Sequence, residues 1–163
     1  MDIRPFETSD IDDLHRINED NVPAVGSVTR DELVALLDQS FTTLVAVRDG
    51  QVGGFVLSLT EGQDYGSLNY GWISERYPGF AYVDRIAVDA NFRSSGIGAL
   101  LYEALAMEIG TSRPVLTCEV NTLPPNPGSL RFHKRLGFEE VGEQTFVPGE
   151  KAVVYLAKTL SGK

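Results

Sequence analysis

The stretch that decides the fold runs from residue 81 to residue 110 and reads AYVDRIAV, DANF, RSSGIG and ALLYEALAMEIG. It predicts a strand, a turn, a glycine-bearing loop and a helix, in that order. Gly96 and Gly98 let the main chain approach a ligand closely, because they carry no Cβ. The first amides of a helix lack intrahelical partners and lie at the positive end of its dipole. The loop therefore predicts a phosphate site, with a tightly packed turn as the alternative.

In the same loop, Arg93-x-x-Gly96-x-Gly98 follows a predicted strand that ends in IAVD. This arrangement resembles the acyl-CoA-binding motif of the GNAT acyltransferase superfamily, Q/R-x-x-G-x-G/A. It lacks the Lys-Ser/Thr of a P-loop and the G-x-G-x-x-G spacing of dinucleotide-binding folds. The resemblance implies that the loop amides hold the pyrophosphate of acetyl-CoA. The cofactor-binding residues predicted for this loop are Arg93, Ser94, Ser95, Gly96, Ile97 and Gly98.

Length, net charge and composition limit the class of protein. A chain of 163 residues suits one domain with a sizeable core. A net charge of −9, without clustered Lys and Arg, argues against nucleic acid as a partner. No apolar run reaches the ~20 residues of a membrane span, and the acidic start, MDIRPFETSD, does not resemble a signal peptide. A single cysteine, Cys118, fits a reducing compartment, so we expect a cytoplasmic protein without a membrane partner. No metal site is predicted.

Hydrophobic periodicity predicts one α+β domain over residues 1–163. Thr29-x-x-Glu32 indicates a capping box, and Asp49-Gly50 indicates a hairpin turn. The segment 61–79, with four aromatic residues, is predicted to be a long irregular connection. The strands are predicted at 1–7, 43–47, 52–59, 81–88, 115–121, 138–146 and 152–157, and the helices at 11–18, 29–39, 97–109 and 129–136. This order, βααβββαβαββ, is that of the GNAT fold, so the resemblance implies a mixed, mostly antiparallel central sheet flanked by helices.

A second motif strengthens the resemblance. The segment Asn126-x-x-Ser129-x-x-Phe132-His133-x-x-x-Gly137-Phe138 is similar to the family's N-x-x-[SA]-x-x-[FL]-Y-x-x-x-G-F. It departs from that pattern at His133, where the family has a tyrosine that is often assigned as the general acid for the leaving thiolate. An imidazolium could take that role. The alternative is a helix-surface histidine bonded to a backbone carbonyl.

Two carboxylates are candidates for the base that deprotonates an amine. Asp84 lies nine residues before Arg93, where family members commonly place this base, and alternation predicts that it shares a strand face with Tyr82 and Ile86. In the alternative, Asp84 pairs with an arginine and only supports structure. Glu119 is its rival, and the neighbouring Cys118 is interpreted as a core residue.

The resemblance also implies how the rest of the donor is held. The pantetheine arm would lie along the strand edge formed by Ile86, Ala87 and Val88, and an amide of Ile86 or Ala87 would bind the oxyanion. Asn121 or Asn126 would cap this arrangement from the facing segment. Ser129 and Phe132 complete the predicted cofactor-binding set.

The sequence thus predicts an enzyme, an N-acetyltransferase that moves acetyl directly from acetyl-CoA to a primary amine of a small molecule or peptide. A longer acyl donor and a CoA-binding sensor or partner module without chemistry remain alternatives. A homodimer is an open possibility, because dimers are frequent in the superfamily. Five acidic residues favour a cationic acceptor: Glu19, Asp20, Glu61, Asp64 and Glu75.

Overall fold

A computed structural model describes residues 1–93 and 95–160 of the chain. Ser94, one of the residues predicted to bind the cofactor, therefore lies outside the described residues. The strands are β1 (Asp2–Pro5), β2 (Thr42–Arg48), β3 (Gln51–Thr60), β4 (Ala81–Val88), β5 (Val115–Leu123), β6 (Glu139–Val147) and β7 (Lys151–Thr159). The helices are α1 (Ile11–Asp20), α2 (Arg30–Gln39), α3 (Leu68–Arg76), α4 (Ile97–Ile109) and α5 (Pro127–Arg135). Within the described ranges, no helix has both the length and the apolarity that crossing a bilayer requires.

The strands form one sheet in the order β1-β2-β3-β4-β5-β7-β6. Neighbouring strands run antiparallel except β4 and β5, which run parallel. These two strands pair only at Ala81 with Leu116 and at Tyr82 with Thr117, and then they diverge. The remainder of β4 therefore presents an open edge toward β5, and the divergence makes a cleft in the middle of the sheet.

A β-bulge in β4 changes which side of the sheet its residues face. Leu57 of β3 pairs with Arg85 and Ser58 pairs with Val83, so Asp84 is the extra residue between them. Because a bulge shifts the two-residue alternation by one, the predicted sharing of a face by Asp84, Tyr82 and Ile86 is wrong. Tyr82 belongs to the core beneath α1 and α2, whereas Ile86 packs on the opposite side with α4.

Local signals set most of the element boundaries. The Thr29–Glu32 capping box is confirmed, since Glu32 N donates to Thr29 Oγ1 at 3.1 Å and Thr29 N donates to Glu32 Oε1 at 2.8 Å. The hairpin at Asp49-Gly50 is also confirmed, with φ of 53° and 77°, as a tight hairpin turn requires.

The segment 61–79 is not irregular throughout, which corrects the sequence prediction. It contains α3, whose N-cap Ser67 accepts a hydrogen bond from Tyr70 N at 3.2 Å. Trp72 stacks on Tyr155 with ring centroids 4.0 Å apart, so aromatic packing holds this short helix on the sheet. The order of elements is thus the predicted one with one added helix between β3 and β4.

The buried face of α4 differs at one position from the apolar face that the sequence predicts for this helix, which consists of Ile97, Leu100, Leu101, Ala104 and Leu105. Leu100 is 37% exposed, whereas Tyr102, outside that set, is 5% exposed. The helix is therefore rotated so that a hydroxyl-bearing aromatic side chain faces the interior.

Candidate active site

The larger of two adjoining cavities lies between the open edge of β4, the loop before α4, and α5. It measures about 1010 Å³. Its wall includes most of the residues predicted to bind the cofactor: Ile86, Ala87, Val88, Arg93, Gly96, Ile97, Gly98, Asn126, Ser129 and Phe132. We call it the cradle cavity, because the loop at Gly96 forms one end of it.

The cradle depends on two glycines with different functions. Gly96 precedes α4 with φ of 79°, a left-handed conformation that residues with a Cβ rarely adopt. A Cβ on Gly98 would lie 2.8 Å from Cζ of Phe132, so the ring of Phe132 packs directly on the main chain of α4. The guanidinium of Arg93 donates to Asn21 Oδ1 at 3.1 Å. This helix start, with an arginine beside it, is suited to binding a phosphate.

Ser95 does not line the cradle cavity. Its hydroxyl donates to the carbonyl of Phe92, and the residue borders a separate groove along α4. Ile97 is buried with 1% exposure, so its side chain belongs to the core. Of these two predicted residues, neither offers a polar side chain to the cavity.

The second cavity, about 260 Å³, is lined by two carboxylates, and we call it the carboxylate cavity. Its charged lining residues are Asp84, Arg85, Glu119 and Lys151. The two cavities share six lining residues: Pro23, Ala24, Ile86, Asn126, Ser129 and His133. They therefore meet at a junction between β4, α5 and the loop that follows α1.

Asp84 is committed to structural contacts. Its side chain is 3% exposed, and it accepts hydrogen bonds from Arg85 Nε at 2.7 Å and from the Tyr65 hydroxyl at 2.6 Å. The same guanidinium donates to Asn18 Oδ1 at 2.8 Å and to the carbonyl of Gly26 at 3.0 Å. The pair thus ties β4 to α1 and to the loop after it.

The surroundings of Glu119 differ from those of Asp84. Its Oε1 accepts a hydrogen bond from the Tyr82 hydroxyl at 2.6 Å, and it forms no ion pair within the residues that the structure describes. Burial raises the pKa of Glu119 to about 8, and the negative charge of Asp84 adds to the rise. The hydrogen bond from Tyr82 opposes this rise without cancelling it. A carboxyl group with this pKa can accept a proton near neutral pH.

His133 is buried, with 3% exposure, and both ring nitrogens have partners. Nδ1 lies 2.8 Å from the carbonyl oxygen of Ser129, and Nε2 lies 2.7 Å from the Tyr102 hydroxyl. A carbonyl only accepts, so Nδ1 carries the hydrogen and Nε2 accepts from Tyr102. Burial lowers the pKa of His133, which favours this neutral form. The histidine makes the expected carbonyl bond, but it lies in the interior and not on the helix surface.

The facing segment contributes a bridge across the cleft. Asn121 Nδ2 donates to the carbonyl of Pro23 at 2.9 Å and so links β5 to the loop after α1. Asn126 immediately precedes α5 and lines both cavities. Cys118 is 3% exposed, and burial raises the pKa of its thiol well above the usual value, as expected for a core residue.

The residues of the carboxylate cavity that sequence reasoning did not identify include Arg85, Tyr102 and Lys151. Tyr102 could have been noticed as the one hydroxyl-bearing aromatic residue within the apolar pattern of α4. Arg85 gave no signal, because adjacent residues of a regular strand face opposite sides.

The acidic residues from which a cationic acceptor was predicted do not line the carboxylate cavity. Glu19 accepts from the Ser27 hydroxyl at 2.6 Å and from Val28 N at 3.1 Å, inside its own loop. Glu61 binds Arg113 at 2.9 Å. The observation that favoured a cationic acceptor therefore concerns other parts of the surface.

Comparison with known proteins gives consistent matches. A model of the acetyltransferase (GNAT) family matches residues 10–138. GCN5-related N-acetyltransferase 4, chloroplastic, of Arabidopsis thaliana is 32% identical over 105 residues, which are 63% of this chain and 34% of that protein. L-2,4-diaminobutyric acid acetyltransferase of Streptomyces coelicolor is 28% identical over 109 residues, which are 67% of this chain and 64% of that protein.

Among solved structures, an aminoglycoside 6'-N-acetyltransferase complexed with coenzyme A superimposes on this chain with a TM-score of 0.75. The two are 16% identical in sequence, and the superposition covers 100% of this chain and 99% of that one. This likeness concerns the fold. The matches to the two curated relatives span about a third and just under two thirds of their lengths. Because the family model covers most of the chain, including the cradle and both candidate bases, the chain belongs to the acetyltransferase (GNAT) family.

Proposed function

We propose that this protein transfers an acetyl group from acetyl-CoA directly to a primary amine of a small molecule or peptide. The observation that carries the proposal is the junction of the two cavities. One cavity ends at a helix start suited to a phosphate, and the other contains a carboxyl group with a pKa of about 8. A donor and an acceptor bound in these cavities would meet at the junction beside Ile86 and His133.

The cradle cavity suits the donor. Among the described residues other than its two chain neighbours, none has a heavy atom within 4 Å of the place that a Cβ on Gly96 would occupy, so they leave the main chain there open to a ligand. Arg93 and the first amides of α4 would hold the pyrophosphate. The open edge of β4 at Ile86, Ala87 and Val88 would pair with the pantetheine arm as a further strand would. Acetyl-CoA supplies the thioester carbonyl that the amine attacks and a thiolate leaving group.

Glu119 is the proposed general base. An alkylamine has a pKa of about 10.4 and is mostly protonated at pH 7, so it must lose a proton before or during attack. Glu119 faces the cavity that adjoins the donor and forms no ion pair with a described residue. The proposal gives Asp84 a positioning role, because both of its oxygens are already bonded.

His133 is a positioning residue in this proposal. Its Nδ1 hydrogen is bound to the Ser129 carbonyl, and its Nε2 accepts from Tyr102. The leaving thiolate has a pKa of about 8.5 and therefore needs little help from an acid. The chain can thus perform the reaction with one base and without a proton from His133.

The relatives support this class of reaction. Both curated relatives are named as acetyltransferases, one of them acting on an amine-bearing amino acid, and the structural neighbour was solved with coenzyme A. We infer that the protein works in a reducing compartment such as the cytoplasm, in keeping with its single buried cysteine.

The donor site is tested by calorimetric titration with acetyl-CoA. We expect Gly98→Val to weaken the affinity at least tenfold, about 1.4 kcal/mol, because even a Cβ at this position would lie 2.8 Å from the Phe132 ring, which lines the cavity, and valine adds two further methyl groups. Gly71→Val is the matched control, since Gly71 lines neither cavity and no contact within 4 Å is found for a Cβ there. Equal affinities for both variants would contradict the cradle assignment.

The transfer itself is tested by measuring the CoA thiol released from acetyl-CoA in the presence of primary amines. Release that depends on the amine supports the proposal. Tight binding of acetyl-CoA without release, across a broad amine set, would instead indicate a CoA-binding module. Faster release from a longer acyl-CoA would change the donor and leave the reaction type in place.

A further inference from the structure

The ionisable residues that line the carboxylate cavity divide into one ion pair and two residues that are in no ion pair with a described residue. Asp84 and Arg85 form an ion pair at 2.7 Å and compensate each other. Glu119 and Lys151 line the same cavity, and neither forms an ion pair with any residue that the structure describes. The cavity therefore offers a bound molecule one carboxyl group in its interior and one ammonium group.

The strand register places these two groups on one face of the sheet. Glu119 of β5 lies opposite Tyr155 of β7, and Lys151 lies four residues before Tyr155 on the same strand. Residues 151, 153 and 155 face one side of the sheet, because Val153 and Tyr155 both belong to the core beneath α1 and α2. Four residues of strand span about 13 Å of backbone. Since both side chains line the same cavity, one small molecule can contact both of them.

Lys151 is placed to meet a ligand at the mouth of the cavity. The residue is exposed at the start of β7, and its Nζ lies 5.8 Å from the centre of the Phe146 ring. An exposed ammonium group can bind a carboxylate at little desolvation cost. Glu119, half-buried further inside, is the proposed base.

We propose that the acceptor is a small amino acid, with Lys151 binding its carboxylate while the reacting amine lies at Glu119. This inference rests on the proposed function and names its substrate class. It replaces the cationic acceptor that the acidic residues elsewhere on the chain suggested. Lys151 is accordingly a specificity residue that does not take part in the chemistry.

Three acceptors of one length provide the test: 5-aminopentanoate, 1-aminopentane and 1,5-diaminopentane. At the end remote from the reacting amine, the first carries a carboxylate, the second an uncharged methyl group and the third an ammonium group. For the wild-type protein, we expect kcat/KM to be at least tenfold higher for 5-aminopentanoate than for 1-aminopentane, mainly through KM, and lowest for the diamine.

Substitution at Lys151 should change this order in a defined way. Lys151→Met is expected to remove the advantage of the carboxylate, and Lys151→Glu to reverse the order so that the diamine reacts best. Lys158→Glu is the matched control, because Lys158 is on the same strand but lines the separate groove along α4. The control should keep the wild-type order.

A binding measurement completes the test independently of turnover. Calorimetric titration with the product analogue 5-acetamidopentanoate should show at least tenfold weaker binding to Lys151→Met than to the wild type, with an unchanged affinity for acetyl-CoA. Equal rates with 5-aminopentanoate and 1-aminopentane, or an unchanged order in Lys151→Glu, would overturn this inference and leave the proposed function in place. Binding of acetyl-CoA without reaction of any amine would overturn the proposed function itself.

Discussion

Asp84 and Glu119 are carboxylates on neighbouring strands that line one cavity, and their surroundings give them opposite properties. Asp84 has an arginine at 2.7 Å and a tyrosine hydroxyl at 2.6 Å. Glu119 has a tyrosine hydroxyl at 2.6 Å and no cation bonded to it among the described residues. The first is paired with an arginine within the scaffold, whereas burial raises the pKa of the second to about 8.

The difference shows how one ion pair can prepare another residue for chemistry. The charge of Asp84 contributes to the raised pKa of Glu119, although burial contributes more. Arg85 and the Tyr65 hydroxyl each occupy one oxygen of Asp84. Two identical functional groups therefore separate into a positioning residue and a candidate base, because one has a cation beside it and the other has not.

The largest expected effect is on turnover in Glu119→Gln. Removing a general base typically costs 10²–10⁴-fold, so we expect kcat/KM for the amine to fall by about 10² or more. In the wild type, kcat/KM should rise with pH up to an apparent pKa of about 8, where Glu119 loses its proton. The measurement is the initial rate of CoA release as a function of pH.

Glu143→Gln, which changes an exposed residue of β6 outside both cavities, is the control for this prediction. It should leave the rate and the pH profile unchanged. If Glu119→Gln retains a wild-type rate, the base lies elsewhere and the contrast between the two carboxylates loses its functional meaning.

The second effect is on stability in Asp84→Asn. Removing one partner of a buried ion pair leaves the other charge uncompensated, which typically costs 3–5 kcal/mol. We expect the free energy of unfolding to fall by about 3 kcal/mol, measured by urea denaturation. The folded fraction should keep kcat within about tenfold of the wild type, since Asp84 takes no proton in this scheme.

Adding Arg85→Gln to Asp84→Asn separates pairing from other losses. If the two residues act as a unit, the double variant should lose less stability than the sum of the single losses. A loss of kcat in Asp84→Asn as large as that in Glu119→Gln would assign the base role to Asp84 instead.

The smallest effect concerns how stability varies with pH. The folded protein keeps a proton on Glu119 up to about pH 8, whereas the unfolded chain releases it near the ordinary glutamate pKa of 4.5. Between these values the folded state binds more protons, so the contribution of Glu119 to stability declines as the pH rises through this window. The neutral side chain of Glu119→Gln has no such dependence.

We therefore expect Glu119→Gln to unfold at a higher temperature than the wild type at about pH 9, and to lose this advantage at about pH 4. The gap should be a few degrees, because 1 kcal/mol corresponds to roughly 2–4 °C in a chain of this size. Differential scanning calorimetry measures it. Parallel melting curves across the whole pH range would show that Glu119 has an ordinary pKa.

The cradle could be predicted from the sequence because it depends on the main chain. Gly96 and Gly98 are required wherever the backbone must turn sharply or pack against a ring, and that requirement is visible at fixed spacing along the chain. The hairpin at Asp49-Gly50 was predictable for the same reason.

The pairing of Asp84 with Arg85 could not be predicted. Adjacent residues of a regular strand face opposite sides, and only the bulge at Asp84 allows the two side chains to meet. The partners Asn18 and Gly26 come from a distant loop. Similarly, α3 was missed because Gly71 and two aromatic residues, Tyr70 and Trp72, give it little intrinsic helical tendency, and its stability comes from contacts such as that of Trp72 with Tyr155.

The limited pairing between β4 and β5 divides the sheet into two parts. Within each part, neighbouring strands are paired along most of their length. The two parts are connected by two residue pairs, by the Thr117 hydroxyl, which donates to the Ala81 carbonyl at 3.1 Å, and by the Tyr82 hydroxyl, which donates to Glu119 Oε1 at 2.6 Å. Because these few bonds lie at one end of the cleft, we expect a small rotation about them to change the width of its open end most. Thr117 lines neither cavity, so we expect its substitution to alter this width without removing a side chain from either site.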